Sequence, residues 1–169
     1  LDELAGGAWL AADETRLAVL LNRAGGADVP IPTSRGSLVL DSLAGRPLPH
    51  PLTTLGFNLV EAHEAGARVT SWEGGEPTIA DLRPGTHMVA HDDVDDPATP
   101  RIAAWLPEFA AAPTDDGPSG RWWEAWLGVL AESAGLEATD DRAIIRDNRP
   151  HGYPTLSLLV AVASLDRSG

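Results

Sequence analysis

The sequence predicts an α+β fold in which helices pack on antiparallel sheet. Three observations predict it. Short apolar runs recur roughly every ten residues through the first half of the chain, between turns rich in Gly and Pro. Two later stretches carry apolar residues at helical spacing. A last pair of apolar runs follows them, so the order is sheet, helices, sheet.

Residues 9–12 and 16–22 are joined by Asp13-Glu14-Thr15 and read as a hairpin with a tight polar turn. Ser34 stands as N-cap ahead of Leu38, Val39, Leu40 and Leu43; Gly45 closes that helix and Pro47 blocks its extension. Residues 57–62, 68–72, 78–82 and 86–91 read as four strands pairing in sequence, with Glu64-Ala65-Gly66, Gly74-Gly75 and Arg83-Pro84-Gly85 as their turns.

Thr99-Pro100 is an N-cap followed by proline at the first helical position, where its missing N–H costs nothing. Ile102, Trp105, Leu106 and Phe109 then give one apolar face, and Pro107 predicts a kink or an early end. Residues 113–120 are all turn formers, a linker too short to separate domains. Trp122, Trp126, Val129 and Leu130 mark a second helix that Gly135 ends. Residues 143–146 and 155–164 read as closing strands, the second so apolar that it suits a strand buried on both faces.

The 169 residues fit a single domain spanning 1–169, and no repeat period of a solenoid is visible. Apolar residues at 43% and charged residues at 22% place the chain among globular rather than disordered proteins. A formal net charge of −13 argues against nucleic acid as a partner, because that affinity comes from cations replacing counterions. With no Cys, disulfides, thiolate zinc sites and thiol chemistry by these residues are excluded. No run approaches the ~20 apolar residues of a transmembrane helix and no signal peptide opens the chain, so a cytoplasmic protein is expected.

Two groups of residues carry possible chemistry. His91-Asp92-Asp93-Val94-Asp95-Asp96 is the densest polar cluster, and His91, Asp92, Asp93 and Asp95 are candidate ligands for Mg²⁺, Mn²⁺ or Ca²⁺. Acidic residues ahead of a helix also complement its dipole, which explains the same cluster without a metal. His151 and Tyr153, with Arg146 on the preceding run, are candidates for an anionic or acyl ligand; Gly152 and Pro154 explain that stretch equally as a turn. Trp122 and Trp123 cannot both point inward from one helix, so one of them marks an edge where a partner protein is an alternative reading.

The series Gly6-Gly7-Ala8-Trp9-Leu10, Leu17-Ala18-Val19-Leu20-Leu21-Asn22, Ser34-Arg35-Gly36-Ser37-Leu38-Val39, Gly56-Phe57-Asn58-Leu59, Val69-Thr70-Ser71-Trp72, Pro84-Gly85-Thr86-His87 and Gly152-Tyr153-Pro154-Thr155-Leu156-Ser157-Leu158-Leu159 runs in order along nearly the whole chain. In that order and spacing it resembles the NRDE family, whose eukaryotic branch is the transport and Golgi organisation protein 2 type. The resemblance implies the layered α-β-β-α fold of N-terminal-nucleophile hydrolases, in which a terminal Cys, Ser or Thr attacks an amide. Family members begin with Met-Cys and carry the Asn-Arg-Asp-Glu motif upstream of the Gly-Gly-x-Trp segment. This chain starts at Leu1, so the expectation is a domain lacking its first strands.

The same resemblance makes Asn22, Arg35 and Asn58 candidate ligand contacts, with Asn as an oxyanion donor and Arg as a carboxylate clamp. It also raises His87, Met88 and His91 as ligands of a haem-like group; in a strand, His87 and His91 would share one side and Met88 take the other. The expected function is a non-catalytic or ligand-handling protein for a small amphipathic, acyl or haem-like ligand. The alternative is a cysteine-dependent amide hydrolase whose nucleophile lies upstream. The residues by themselves assign no cofactor.

Overall fold

In the structure, a computed structural model, residues 7–114, 121–147, 149, 160–163 and 165 are described. The chain divides into two compact units. One comprises Leu1–Pro84, Val89–Val94 and Ala163–Gly169, the other Gly85–Met88 and Asp95–Val162.

The first unit is built on an antiparallel sheet of five strands in sequence order: β1 (Leu10–Ala12), β2 (Arg16–Gly26), β3 (Leu55–His63), β4 (Gly66–Trp72) and β5 (Thr78–Leu82). Asp13 makes the first turn, its carboxylate accepting the N–H groups of Thr15 and Arg16 at 2.8 Å each. Those bonds hold its carboxyl below the ordinary range, the Thr15 N–H most of all and against the opposing effect of burial. The register pairs Leu20 with Leu59 and Phe57 with Trp72, and these side chains share one face. Helix α1 (Gly36–Leu43) covers that face, with Leu38 and Val39 buried against it. Ala18, Leu20, Phe57, Leu59 and Trp72 complete the core.

Alternation sends Val19, Leu21, Asn58, Val60 and Val69 to the opposite face. There Asn58, fully buried, donates through Nδ2 to the carbonyls of Ala90 at 3.1 Å and Asp92 at 2.7 Å, so residues 89–94 are tied to the middle of β3.

Helix α1 begins one residue later than expected. Arg35 is its N-cap and Ser34 Oγ accepts the Gly36 N–H at 3.3 Å, which satisfies one early donor from outside the helix. Gly45, at φ 67°, follows the last turn as anticipated. The fourth meander strand is corrected. Residues 86–91 form no strand, because Asp95 captures this stretch: its carboxylate accepts the Met88 N–H at 2.8 Å and its own N–H donates to the Met88 carbonyl.

The second unit contains α2 (Pro100–Ala111) and α3 (Glu124–Ser133). Thr99 and Pro100 open α2 as expected, and the helix runs unbroken past Pro107. Phe109, Trp126 and Trp122 form a chain of edge-on rings 5.4 and 5.5 Å apart. Trp105 and Trp126, which helical spacing sets on apolar faces, are half-buried; Trp105 donates from Nε1 to the Arg142 carbonyl. Residues 143–146 are not a strand: the Ala143 N–H donates to the Asp140 carbonyl and the Ile144 N–H to Ser133 Oγ, both at 3.0 Å, so these donors serve a local turn and α3 rather than a ladder. Of the second closing run, residues 160–163 are not in a strand and 155–159 and 164 lie outside the described residues. Among the described residues no helix is long and apolar enough to cross a membrane.

Candidate functional site

The two glycine motifs meet. Ala8 N–H donates to the Gly36 carbonyl at 3.0 Å, and a Cβ added to Gly36 would lie 2.8 Å from the Gly7 Cα. Only two glycines allow the segment before β1 and the start of α1 to approach so closely. The approach brings Trp9 and Arg35 together, the Arg35 guanidinium carbon lying 5.6 Å from the centre of the Trp9 ring. Thr33 holds the lead-in to α1, with its N–H on the Thr53 carbonyl at 2.9 Å and its hydroxyl 2.9 Å from that of Thr53.

These elements enclose a cleft of about 250 Å³, lined by Trp9, Thr33, Ser34, Arg35 and Leu55. Arg35 Nη1 donates to the Gly56 carbonyl at 2.7 Å, which fixes the guanidinium at one corner. Burial pulls its pKa below the ordinary arginine value, and no carboxylate opposes that effect among the described residues. Trp9 is 49% exposed and Leu55 46% exposed, so large apolar surface flanks a cation. The arrangement suits an anion that carries an apolar body.

Asn22 lies within β2, opposite Phe57 and just before the bulge that ends at Gly26, and its side chain is exposed. Asn58 is not at a strand end but in the interior of β3, where both hydrogen bonds of its amide nitrogen are used on backbone. Its Oδ1 is buried without a hydrogen-bond partner. The oxyanion-donor role expected of Asn58 is therefore corrected: its N–H groups brace residues 89–94 instead.

Among the described residues no group of three or more metal-ligating side chains converges, and the members of the acidic cluster have other occupations. Asp93 pairs with Arg23 at 2.7 Å, and Asp92 lies 3.2 Å from the His91 ring. Asp95 meets His87 Nδ1 at 2.6 Å. His87 and His91 share no strand, so the alternation that was to set them on one side of a haem-like group is lost. Arg146 pairs with Asp141 at 2.5 Å; His151 and Tyr153 lie outside the described residues.

Sequence reasoning missed Trp9, Leu55 and Arg23. Trp9 accepts the Leu20 N–H through its carbonyl and so lies with Ala11 on the α1 face, a position readable from the hairpin once paired. Arg23 bridges Glu73 at 3.1 Å and Asp93 at 2.7 Å. Burial alone would lower its pKa, and the two carboxylates more than reverse this. No local signal marked Arg23, because both partners are distant in sequence.

Compared with known proteins, the chain matches no protein-family model and no curated protein.

Proposed function

We propose that this is a ligand-handling protein of the NRDE type that binds a small amphipathic carboxylate in the Trp9–Arg35 cleft. The observation that carries the reading is the Arg35 guanidinium: part-buried, anchored on one carbonyl, flanked by an indole, and without a carboxylate partner among the described residues. Desolvating an arginine without a counterion is unfavourable, and a bound carboxylate offsets that cost through paired N–H donors. At about 250 Å³ the cleft falls just below the ~300 Å³ at which drug-sized pockets begin, so a short acyl or aryl carboxylate fits better than a whole lipid. The resemblance in motif order supports the same class of ligand.

The sheet supports the expected α-β-β-α layering. Its face opposite α1 carries Val19, Leu21, Val60 and Val69, and a sheet apolar on both faces is what an inner layer requires.

Octanoate titration followed by calorimetry tests the site. Wild-type protein is expected to bind it and Arg35→Ala to lose at least about tenfold in affinity, the order expected for a charge-assisted pair. Equal affinity in a folded Arg35→Ala variant sinks the proposal and assigns Arg35 to bracing Gly56.

A further inference from the structure

A larger cleft, of about 590 Å³, opens in the first unit at the other end of α1 from Arg35, and no residue of the Trp9–Arg35 cleft lines it. Its volume lies within the range of small-molecule sites, about 300 to 1,000 Å³. In a chain of net charge −13, three of the twelve Lys and Arg residues, Arg16, Arg46 and Arg68, line this one cleft.

Strand register sets its polar residues on one face. Arg16 lies opposite His63 and Arg68 opposite Glu61, on the α1 face that also carries Ala18, Phe57 and Leu59. Side chains directly opposite in a ladder stand about 5 Å apart at Cβ, so Arg16 and His63 are within reach of one small ligand. Arg16 turns into the cleft: its Nη1 would lie 3.4 Å from a Cβ on Gly45, across the gap from β2 to the end of α1. Ser42 Oγ donates to Glu61 Oε1 at 2.6 Å and Arg68 Nε to Glu61 Oε2 at 2.7 Å, so the floor joins α1, β3 and β4. Those bonds hold the cleft open in a fixed shape and engage both Glu61 oxygens away from Arg16.

Hydrogen-bond donors are left over. The Arg16 guanidinium makes no ion pair or hydrogen bond among the described residues, and its acidic neighbour Asp13 spends Oδ1 on the Thr15 and Arg16 N–H groups. His63 Nδ1 accepts the Ala65 N–H at 3.2 Å, which puts the ring proton on Nε2 as a second donor. Arg46 is held by Asp41, and Glu64 belongs to the turn between β3 and β4, beyond the paired residues.

We infer that this cleft binds the phosphate of a small phosphomonoester, with two oxygens on the Arg16 guanidinium and a third on His63 Nε2–H. The donor set selects a phosphate: a carboxylate spends both oxygens on the guanidinium fork, whereas a phosphate keeps another for the imidazole. The remaining volume admits the organic body of the ester.

The test titrates phenyl phosphate and benzoate, two probes with the same ring, and maps chemical shifts at neutral pH. Phenyl phosphate is expected to shift resonances of residues 15–17, 42–46 and 61–64 and to bind there about fivefold tighter than benzoate. Arg16→Gln and His63→Ala change exposed side chains outside the core, and each is expected to weaken phenyl phosphate about three- to fivefold, the range for an exposed charged contact. Raising salt should weaken it in the wild type. No shifts in these segments at millimolar phenyl phosphate, shifts confined to residues 7–9 and 33–36, equal affinity for benzoate, or undiminished affinity in either variant overturns the inference.

Discussion

Gly7 and Gly36 meet backbone to backbone: a Cβ on Gly7 would lie 2.5 Å from the Gly36 Cα, and one on Gly36 2.8 Å from the Gly7 Cα. Neither contact can be relieved by rotating a side chain, because main chain lies on both sides. The contact sets the start of α1 against the segment leading into β1, and with it the pairing of Arg35 with Trp9.

Gly36→Ala is expected to destabilise the protein by about 2 to 3 kcal/mol, the cost of overpacking against backbone. Helix propensity alone would favour Ala by about 1 kcal/mol. Urea denaturation decides between the two, and a gain in stability would show that the glycines are not in contact.

Trp9→Leu keeps apolar surface beside Arg35 and removes the ring face. Octanoate affinity is expected to fall about two- to fivefold, the contribution of a part-exposed cation–π contact, with the unfolding midpoint nearly unchanged. Calorimetry on the folded variant reads this directly; unaltered affinity would place the ligand away from the indole.

Asn58→Ala removes two hydrogen bonds to the carbonyls of Ala90 and Asp92 and leaves space in a fully buried position. A loss of about 2 to 4 kcal/mol is expected. Residues 89–94 should lose hydrogen-exchange protection at the same time. Unchanged stability would contradict a bracing role.

Glu61 adds an acid-sensitive part to stability. Burial pushes its carboxyl up, but the bonds from Arg68 Nε at 2.7 Å and Ser42 Oγ at 2.6 Å outweigh this and hold it below its ordinary 4.5. A depressed carboxyl contributes stability that is present above pH 4.5 and is lost as pH falls through the lower folded-state value. Glu61→Gln should therefore cost about 1 to 2 kcal/mol at neutral pH and much less in acid. Denaturation midpoints at both pH values check this; an equal deficit at each would assign the effect to packing.

Much of the fold was legible where the signal is local. Asp13-Glu14-Thr15 makes the turn it suggests, since an Asx side chain reaches backbone two and three residues on. Thr99-Pro100 opens α2, because a cap and a first-turn proline act within one turn of helix. The run 86–91 misled because its spacing after the Arg83-Pro84-Gly85 turn continued the meander, whereas its backbone partner was Asp95, held at φ 58°. At the site, Arg35 was marked by its motif, whereas Leu55 lay ahead of the expected strand 57–62 and carried no mark.

Alternation and helical spacing along the chain determined which residues turn to the core, as at Leu20, Phe57, Leu59 and Leu38. The excess of acidic residues likewise determined that arginine partners would be carboxylates in most places. Tertiary structure alone decided that Arg35 would be part-buried with no carboxylate offsetting its burial among the described residues, and that a tryptophan before β1 would stand beside it. The physical reason is range: side-chain periodicity and capping act over a few residues and are written in order, whereas a binding cleft is made by surfaces that packing brings together from distant segments.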